Sequence, residues 1–217
     1  MIVRAQFAAA KSMAEVVRDL GGIALERIRA VPAPGTATEA DLMEPHAKLC
    51  ELVDGVVVEK AMGDRESLLG HFIGRRIGNH VEAGDLGVVL GEAGHIRVRP
   101  DQLRAPDVTY IPWSAFPAGE IPDEAYWSVT PDLIVEVLSP DNTTPEIDRK
   151  LREFFAMGCK LAWVIHPPTR TAKIYTSAKR FKLIDAAGTL DGGKVLPGFT
   201  LPLADVFAAT KPRKKPH

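Results

Sequence analysis

A mixed α/β domain is the fold class this sequence predicts, and three patterns predict it. An amphipathic helix pattern runs from Asp64 to Glu82, with Leu69, Phe72, Ile73, Ile77 and Val81 on one stripe. A strand pattern apolar on both faces, interrupted by one carboxylate, follows in Asp132-Leu-Ile-Val-Glu-Val-Leu138. Short strand patterns and a further helix fill the rest. The order helix, strands, helix, strands suits a mixed sheet with helices packed upon it.

Size and composition bound the reading. The 217 residues allow one substantial domain with an extension, or at most two small ones. With 46% hydrophobic and 25% charged residues, the chain can bury its own core without staples. No apolar run approaches the 18 or more residues of a membrane-crossing helix. Residues 1–30 interrupt their apolar stretches with Arg4, Lys11, Glu15, Arg18 and Asp19, unlike a secretory leader. Cys50 and Cys159 match no CxxC pattern and read as buried, reduced thiols of a cytoplasmic protein. A net charge of −1 excludes a whole-surface attraction for nucleic acid, so any such contact has to be a local patch.

Residues 1–45 read as an N-terminal helical extension and linker, 46–210 as the main domain, and 211–217 as a basic, disordered tail. Residues 11–30 suggest one or two short helices broken at Gly21-Gly22. A linker follows, Val31-Pro-Ala-Pro-Gly-Thr36, and Thr36 with Glu39 has the spacing of a capping box. Leu49–Val53 and Val56–Lys60 flank Asp54-Gly55, a strong hairpin signal. After the helix at 64–82, strands are expected at Leu86–Leu90, His95–Arg99 and Ala105–Ile111, the last two separated by Pro100-Asp101. Residues 112–130, rich in Pro, Gly and aromatics, form a long connection of the kind that often carries function. The apolar strand at 132–138 leads to a helix ending near Met157, with Thr144 as its N-cap, Pro145 in its first turn and Gly158 as its stop. Leu161–His166 and Thr171–Thr176 make a second hairpin. Weaker strands near 180–184 and 194–196 and a short helix around Asp205 complete the domain. No internal repeat is present.

Glu136 is the most informative single residue. A carboxylate inside a doubly apolar strand is costly unless a cation, metal or hydrogen-bond donor receives it. A divalent metal shared with Asp107 meets that need; a buried ion pair with an arginine or lysine is the alternative. Asp107, after Pro106, starts or sits early in a strand with Thr109 on its face. Pro-Asp is also a turn former, and it recurs at Pro100-Asp101, Pro131-Asp132 and Pro140-Asp141. Asp132 shares the parity of Glu136 but lies roughly 13 Å along the strand, too far for one ion. Lys150 sits roughly 80° from the centre of the stripe formed by Ile147, Leu151, Phe154 and Phe155. From that rim its stem can lie along the core and its ammonium can meet a strand end. There it could stabilise charge on an attacked phosphate or orient a water; otherwise it is a solvated lysine beside Arg149 and Arg152. Glu92 could complete an acidic cluster with Asp107 and Glu136, although both it and Glu51 also read as surface or edge residues. Glu59, beside Lys60, is plainer still. Oxygen ligands favour Mg²⁺ or Mn²⁺ over zinc. The six histidines form no HExxH or His/Cys cluster. The absence of a Walker A loop, GxGxxG or GxSxG removes the common nucleotide-binding and serine-hydrolase classes.

Five segments in order carry a resemblance. They are Glu51-Leu-Val-Asp-Gly55, Arg104-Ala-Pro-Asp-Val108, Pro131-Asp-Leu-Ile-Val-Glu-Val-Leu-Ser-Pro140, Arg149-Lys-Leu-Arg-Glu-Phe-Phe-Ala-Met-Gly158 and Ala162-Trp-Val-Ile-His-Pro167. Together they resemble the Uma-two family of restriction-endonuclease-like proteins, a branch of the PD-(D/E)XK nuclease superfamily, over about residues 48–177. Thr36–Asp41 and Leu196–Pro202 are also similar to the flanks of some members. The resemblance implies an αβββαβ restriction-endonuclease-like core with a metal site at its central strands. Asp107 matches the acid of the PD element and Glu136 the second acid. The lysine that the wider superfamily places two residues later is replaced here by Leu138. Members of this family typically carry a lysine on the next helix, which Lys150 matches.

On that resemblance the expected activity is Mg²⁺-dependent (or Mn²⁺-dependent) endonucleolytic hydrolysis of DNA. Asp107 and Glu136 would hold the ion, with the Val137 carbonyl and Glu92 as further ligands, and Lys150 would act on the attacking water. Arg75, Arg76, Arg104, Arg149 and Arg152 would contact phosphates. A homodimer would supply the two centres that cutting both strands needs. The alternative, favoured by Leu138, is a catalytically silent nuclease-fold module that binds nucleic acid or a protein partner.

Overall fold

The computed structural model describes residues 11–44 and 49–210. The expected basic tail at 211–217, and the expected boundary at 45/46, lie outside the described residues.

The N-terminal segment forms α1 (Met13–Asp19), capped by Ser12 and Glu15 in a reciprocal capping box, and a 3₁₀ turn at Leu25–Arg27. Gly21 and Gly22 separate them with φ of 94° and 70°. A second capping box starts a 3₁₀ turn at Glu39–Leu42, built by Thr38 and Asp41 and not by Thr36 and Glu39. Next come β1 (Cys50–Val53) and β2 (Val56–Glu59), paired around Asp54 and Gly55 at φ of 52° and 73°. Those positive angles are what a two-residue hairpin requires, and Gly adopts them freely.

α2 (Asp64–Ala83) and β3 (Gly87–Leu90) follow, then β4 (Ile96–Arg99), β5 (Gln102–Arg104) and β6 (Val108–Pro112). The single strand expected at Ala105–Ile111 is therefore two. β5 pairs with β1 and β4, whereas β6 pairs with β3, and Ala105-Pro106-Asp107 carries the chain from one sheet to the other. Pro106, with no N–H to give a ladder, suits that crossing. The remaining elements are β7 (Leu133–Val137), α3 (Thr144–Ala156), β8 (Leu161–His166), β9 (Thr171–Ser177), β10 (Arg180–Ile184), β11 (Thr189–Asp191), β12 (Thr200–Pro202) and α4 (Leu203–Ala208). The strand expected at 194–196 is absent; β11 and β12 form the last ladder instead. The N-cap of α3 is Thr143, one residue earlier than expected. Glu146, three residues on, completes its box, and Pro145 falls within the first turn.

A six-stranded sheet in the order β10-β9-β8-β7-β6-β3 forms the centre, and a four-stranded sheet β2-β1-β5-β4 stands beside it. Among the strands of the described residues, only β7 and β8 pair parallel, joined by α3. The sequence α2-β3-β6-β7-α3-β8 is the αβββαβ core. α2 lays Leu69, Ile73, Ile77 and Val81 against Val108, Leu133, Val135 and Trp163 on one face. α3 lays Ile147, Leu151 and Phe154 against Ile134, Ala162 and Val164 on the other. Each such side chain contributes roughly 1.5–3 kcal/mol by leaving water. Because β7 is covered on both faces, every one of its five residues is buried, Glu136 included.

The N-terminal segment is bound to this core. Val16, Leu20, Ile23 and Ile28 pack on Val53, Val56 and Val58, and Ile28 bridges to Val58. Arg27 is 8% exposed and grips Glu146 of α3 through two contacts of 2.6 and 3.0 Å. A Cβ on Gly21 would lie 2.6 Å from the Glu146 nitrogen, so this close approach needs glycine. No helix among the described residues is long and apolar enough to cross a membrane.

Candidate metal centre

The end of the β6–β7 ladder brings the two acids near each other. β6 and β7 pair antiparallel with Val108 opposite Val135, Thr109 opposite Ile134 and Tyr110 opposite Leu133. The register ends there: the Asp107 N–H bonds to Val135 and not to Glu136, and a Cβ on Gly70 of α2 would lie 3.4 Å from the Asp107 Cβ, on the face that carries Val108. Asp107 ends the ladder: its N–H donates to the Val135 carbonyl at 3.1 Å, and its Oδ2 accepts from the Val137 N–H at 2.6 Å. That bond fixes the Asp107 carboxylate beside the strand that bears Glu136.

Two lysines reach the pair. Lys60, just past β2, donates to Asp107 Oδ1 at 3.1 Å and to the Glu92 carbonyl at 3.2 Å. Lys150, on α3, lies 2.9 Å from Glu51 Oε1 and 3.4 and 3.5 Å from the two oxygens of Glu136. Glu51, on β1, also accepts from Arg104 Nη1 at 2.9 Å and from the Ala105 N–H at 3.1 Å. Asp107, Glu136, Lys150 and Glu51 are all buried, at 7%, 6%, 4% and 2% exposure.

These contacts sort the charges. Burial works against both Glu51 and Lys150, yet their mutual attraction outweighs it. Lys150 and Arg104 hold the Glu51 carboxyl far below the usual range, while Glu136 and Glu51 hold the Lys150 ammonium above its own. Glu136 goes the other way. Burial pushes it up to about 7, and the carboxylates of Asp107 and Glu51 add to the shift against Lys150 and Lys60. Glu51 is thus the firm counter-ion of Lys150. Glu136, with only long contacts to that ammonium, is the carboxylate whose charge lacks full compensation.

Asp107, Glu136 and Lys150 therefore meet, as their sequence patterns suggest. Glu92 does not complete the cluster. It lines a cleft of about 520 Å³ together with Asp107, Ser67, His71 and Arg75. No group of three or more His, Cys, Asp or Glu side chains is placed to hold a metal among the described residues. The expected phosphate contacts divide. Arg75, Arg76 and Arg152 are exposed, and Arg75 shares the cleft with Asp107. Arg104 is corrected to a structural role: it is 3% exposed and clamped between Glu51 and Glu153. Arg149 is likewise engaged by Glu153, Asp54 and the Asp19 carbonyl. Charged groups buried this deeply are paired because solvation is lost.

Two residues of the centre are not apparent from sequence. Glu51 reads as an edge residue, yet it stands between Cys50 and Leu52 in an apolar strand, the same signal that marks Glu136. Lys60 offers no signal, since a lysine closing a hairpin is commonplace.

An αβββαβ core with acids at the PD and central-strand positions defines a restriction-endonuclease-like fold. A family model described as "Uma2: Putative restriction endonuclease" matches residues 38–204, and the chain belongs to that family. The match extends beyond the five segments on both sides. Among solved structures, a "putative nuclease belonging to DUF820" from Anabaena variabilis is similar, with a TM-score of 0.65 and 21% identity over 74% of this chain and 90% of that one. Among curated proteins, none matches the chain.

Proposed function

We propose that this protein is a divalent-metal-dependent endonuclease that hydrolyses DNA phosphodiester bonds. The bond from the Val137 N–H to Asp107 carries the reading, because it holds that carboxylate at the end of β7 that bears Glu136 and so gives two hard oxygen donors at one place. The donor set suits Mg²⁺ or Mn²⁺: Asp107 and Glu136 would hold the ion, with the Val137 carbonyl completing the protein ligands. A bound ion of this kind polarises a phosphoryl oxygen and lowers the pKa of an attacking water. The chain's own groups do the rest. The Val137 N–H orients Asp107, and Glu51 keeps Lys150 charged and aimed at Glu136. Lys150 then offsets negative charge as it develops on the phosphate. Exposed Arg75, Arg76 and Arg152 supply backbone contacts, and a two-fold dimer would supply a second centre for the opposite strand.

The test is Mg²⁺-dependent nicking or linearisation of supercoiled plasmid by wild type, Asp107→Ala and Glu136→Ala. Activity lost in both variants supports the enzyme. Equal activity in all three marks a contaminant.

A second reading, a silent nuclease-fold module that binds nucleic acid or a protein partner, has one observation in its favour. Leu138 stands where the strand lysine of the superfamily belongs, and it is packed into the α3 core. Plasmid binding without cleavage under any divalent ion would select it.

A further inference from the structure

We propose that Lys60 is a second catalytic cation of this centre: it competes with the divalent ion for Asp107 and, once displaced, meets the phosphate entering the cleft. The inference rests on the nuclease reading above and assigns a role to a residue that the PD-(D/E)XK pattern does not contain.

The geometry is specific. Lys60 is the residue after β2, and its side chain is 3% exposed, as buried as the acid it serves. Its ammonium has two partners, Asp107 Oδ1 at 3.1 Å and the Glu92 carbonyl at 3.2 Å. The other Asp107 oxygen is committed to the Val137 N–H at 2.6 Å. A cation bridging Asp107 and Glu136 therefore has Oδ1 as its natural partner on the aspartate, where the ammonium sits. A divalent ion and an ammonium within a few ångströms of each other, in a site this dry, repel strongly. Lys60 must yield.

Its second contact decides where it goes. The Glu92 carbonyl belongs to a residue of the cleft wall, and the same cleft is lined by Asp107, Ser67, His71 and Arg75. An ammonium that releases Asp107 while keeping the Glu92 carbonyl stays beside a residue of that wall. Lys150 cannot take this part. It is held by Glu51 at 2.9 Å and faces Glu136 at 3.4 Å. The two lysines thus divide the work: Lys150 answers charge at Glu136, and Lys60 answers charge on a phosphate arriving beside Asp107. The division also accounts for how the centre tolerates Leu138.

The experiment is a Mn²⁺ titration of wild type, Lys60→Met and Lys60→Arg, read by the loss of free-ion electron spin resonance signal, beside plasmid cleavage at saturating Mn²⁺ and thermal melts. Lys60→Met is expected to bind Mn²⁺ roughly tenfold more tightly or better, since the repulsion removed is at least of that order. Its cleavage at saturation is expected to fall by roughly a hundredfold, a typical loss for a charge-stabilising group. Lys60→Arg, which keeps the charge and protects the fold, is expected to bind Mn²⁺ like wild type and to cleave at an intermediate rate. Affinity and cleavage falling together in folded Lys60→Met would reduce Lys60 to a support for Asp107 and overturn the proposal. So would tighter binding with undiminished cleavage, which leaves a competitor only. Unchanged affinity in a cleaving enzyme overturns the Lys60 role and spares the nuclease reading. Absence of Mn²⁺ binding in every variant sinks both.

Discussion

The Lys150 ammonium lies 2.9 Å from Glu51 on β1 and 3.4 Å from Glu136 on β7, so one residue of α3 joins the two sheets at the carboxylate centre. Removing it takes the nearest ammonium from Glu136 and leaves Glu51 with Arg104 alone. Breaking a buried pair in this way typically costs about 3–5 kcal/mol. Lys150→Met should lose that much stability in urea denaturation of the metal-free protein, with the m-value unchanged. A loss below about 1 kcal/mol would mean that the ammonium is not a structural tie.

Glu136 gives the metal-free protein a distinctive pH dependence. Its carboxyl is raised from an ordinary value near 4.5 to about 7. The folded state therefore holds a proton that the unfolded state has released between those values. The stabilising contribution is complete below about pH 4.5 and is lost as pH rises through about 7. At most it is about 3 kcal/mol. The groups facing it are Lys150, Asp107, Glu51 and Lys60, and Glu51, held low, loses its own contribution only in stronger acid. Glu136→Gln should gain on wild type by up to that amount between pH 5 and pH 8. Parallel stability profiles for the two proteins would contradict this.

Arg27 anchors the N-terminal segment to the start of α3. Its two contacts to Glu146 are buried, and it also donates to the Glu59 and Asp141 carbonyls at 2.9 and 3.2 Å. Arg27→Met should destabilise by about 3 kcal/mol or more and raise hydrogen exchange at residues 143–150, the turns that carry Lys150. Exchange unchanged there would show that α3 is set without the extension.

Gly21 makes the same docking sterically exact. Its φ of 94° and the 2.6 Å approach to Glu146 leave no room for a side chain. Gly21→Ala should cost about 1–3 kcal/mol, read from the denaturation midpoint. Gly22→Ala, at φ of 70° with nothing within 4 Å, should cost less.

What was legible in the sequence follows from how local each signal is. The stripe of α2, the Asp54-Gly55 hairpin and the doubly covered β7 are written in consecutive residues, and all three stand in the structure. Capping was legible in kind but off by a residue or two, because Thr143 beside Thr144, and Thr38 beside Thr36, offer the same chemistry and only backbone geometry chooses. The split of Ala105–Ile111 was hidden, since a strand that changes sheets still reads as one apolar alternation. At the centre, Glu136 stood out because a charge shows against an apolar strand, whereas Asp107 and Lys150, each with an ordinary turn or surface reading of its own, were picked out by the resemblance. Lys60 was not, since its meaning comes from a fold that carries the end of β2 to Asp107, 47 positions along the chain. Arg104 and Arg149 misled for the converse reason: a basic residue looks solvated until its carboxylate partners are known.

Anomalous diffraction from a crystal soaked in Mn²⁺ addresses the metal centre without any knowledge of substrate. A single strong peak within ordinary Mn–O distance of both Asp107 and Glu136, with the Lys60 ammonium turned away from Asp107, is expected. A peak elsewhere, or none while Lys60 and Lys150 keep their grip on the two acids, would show that these carboxylates are a structural ion-pair network and not a metal centre.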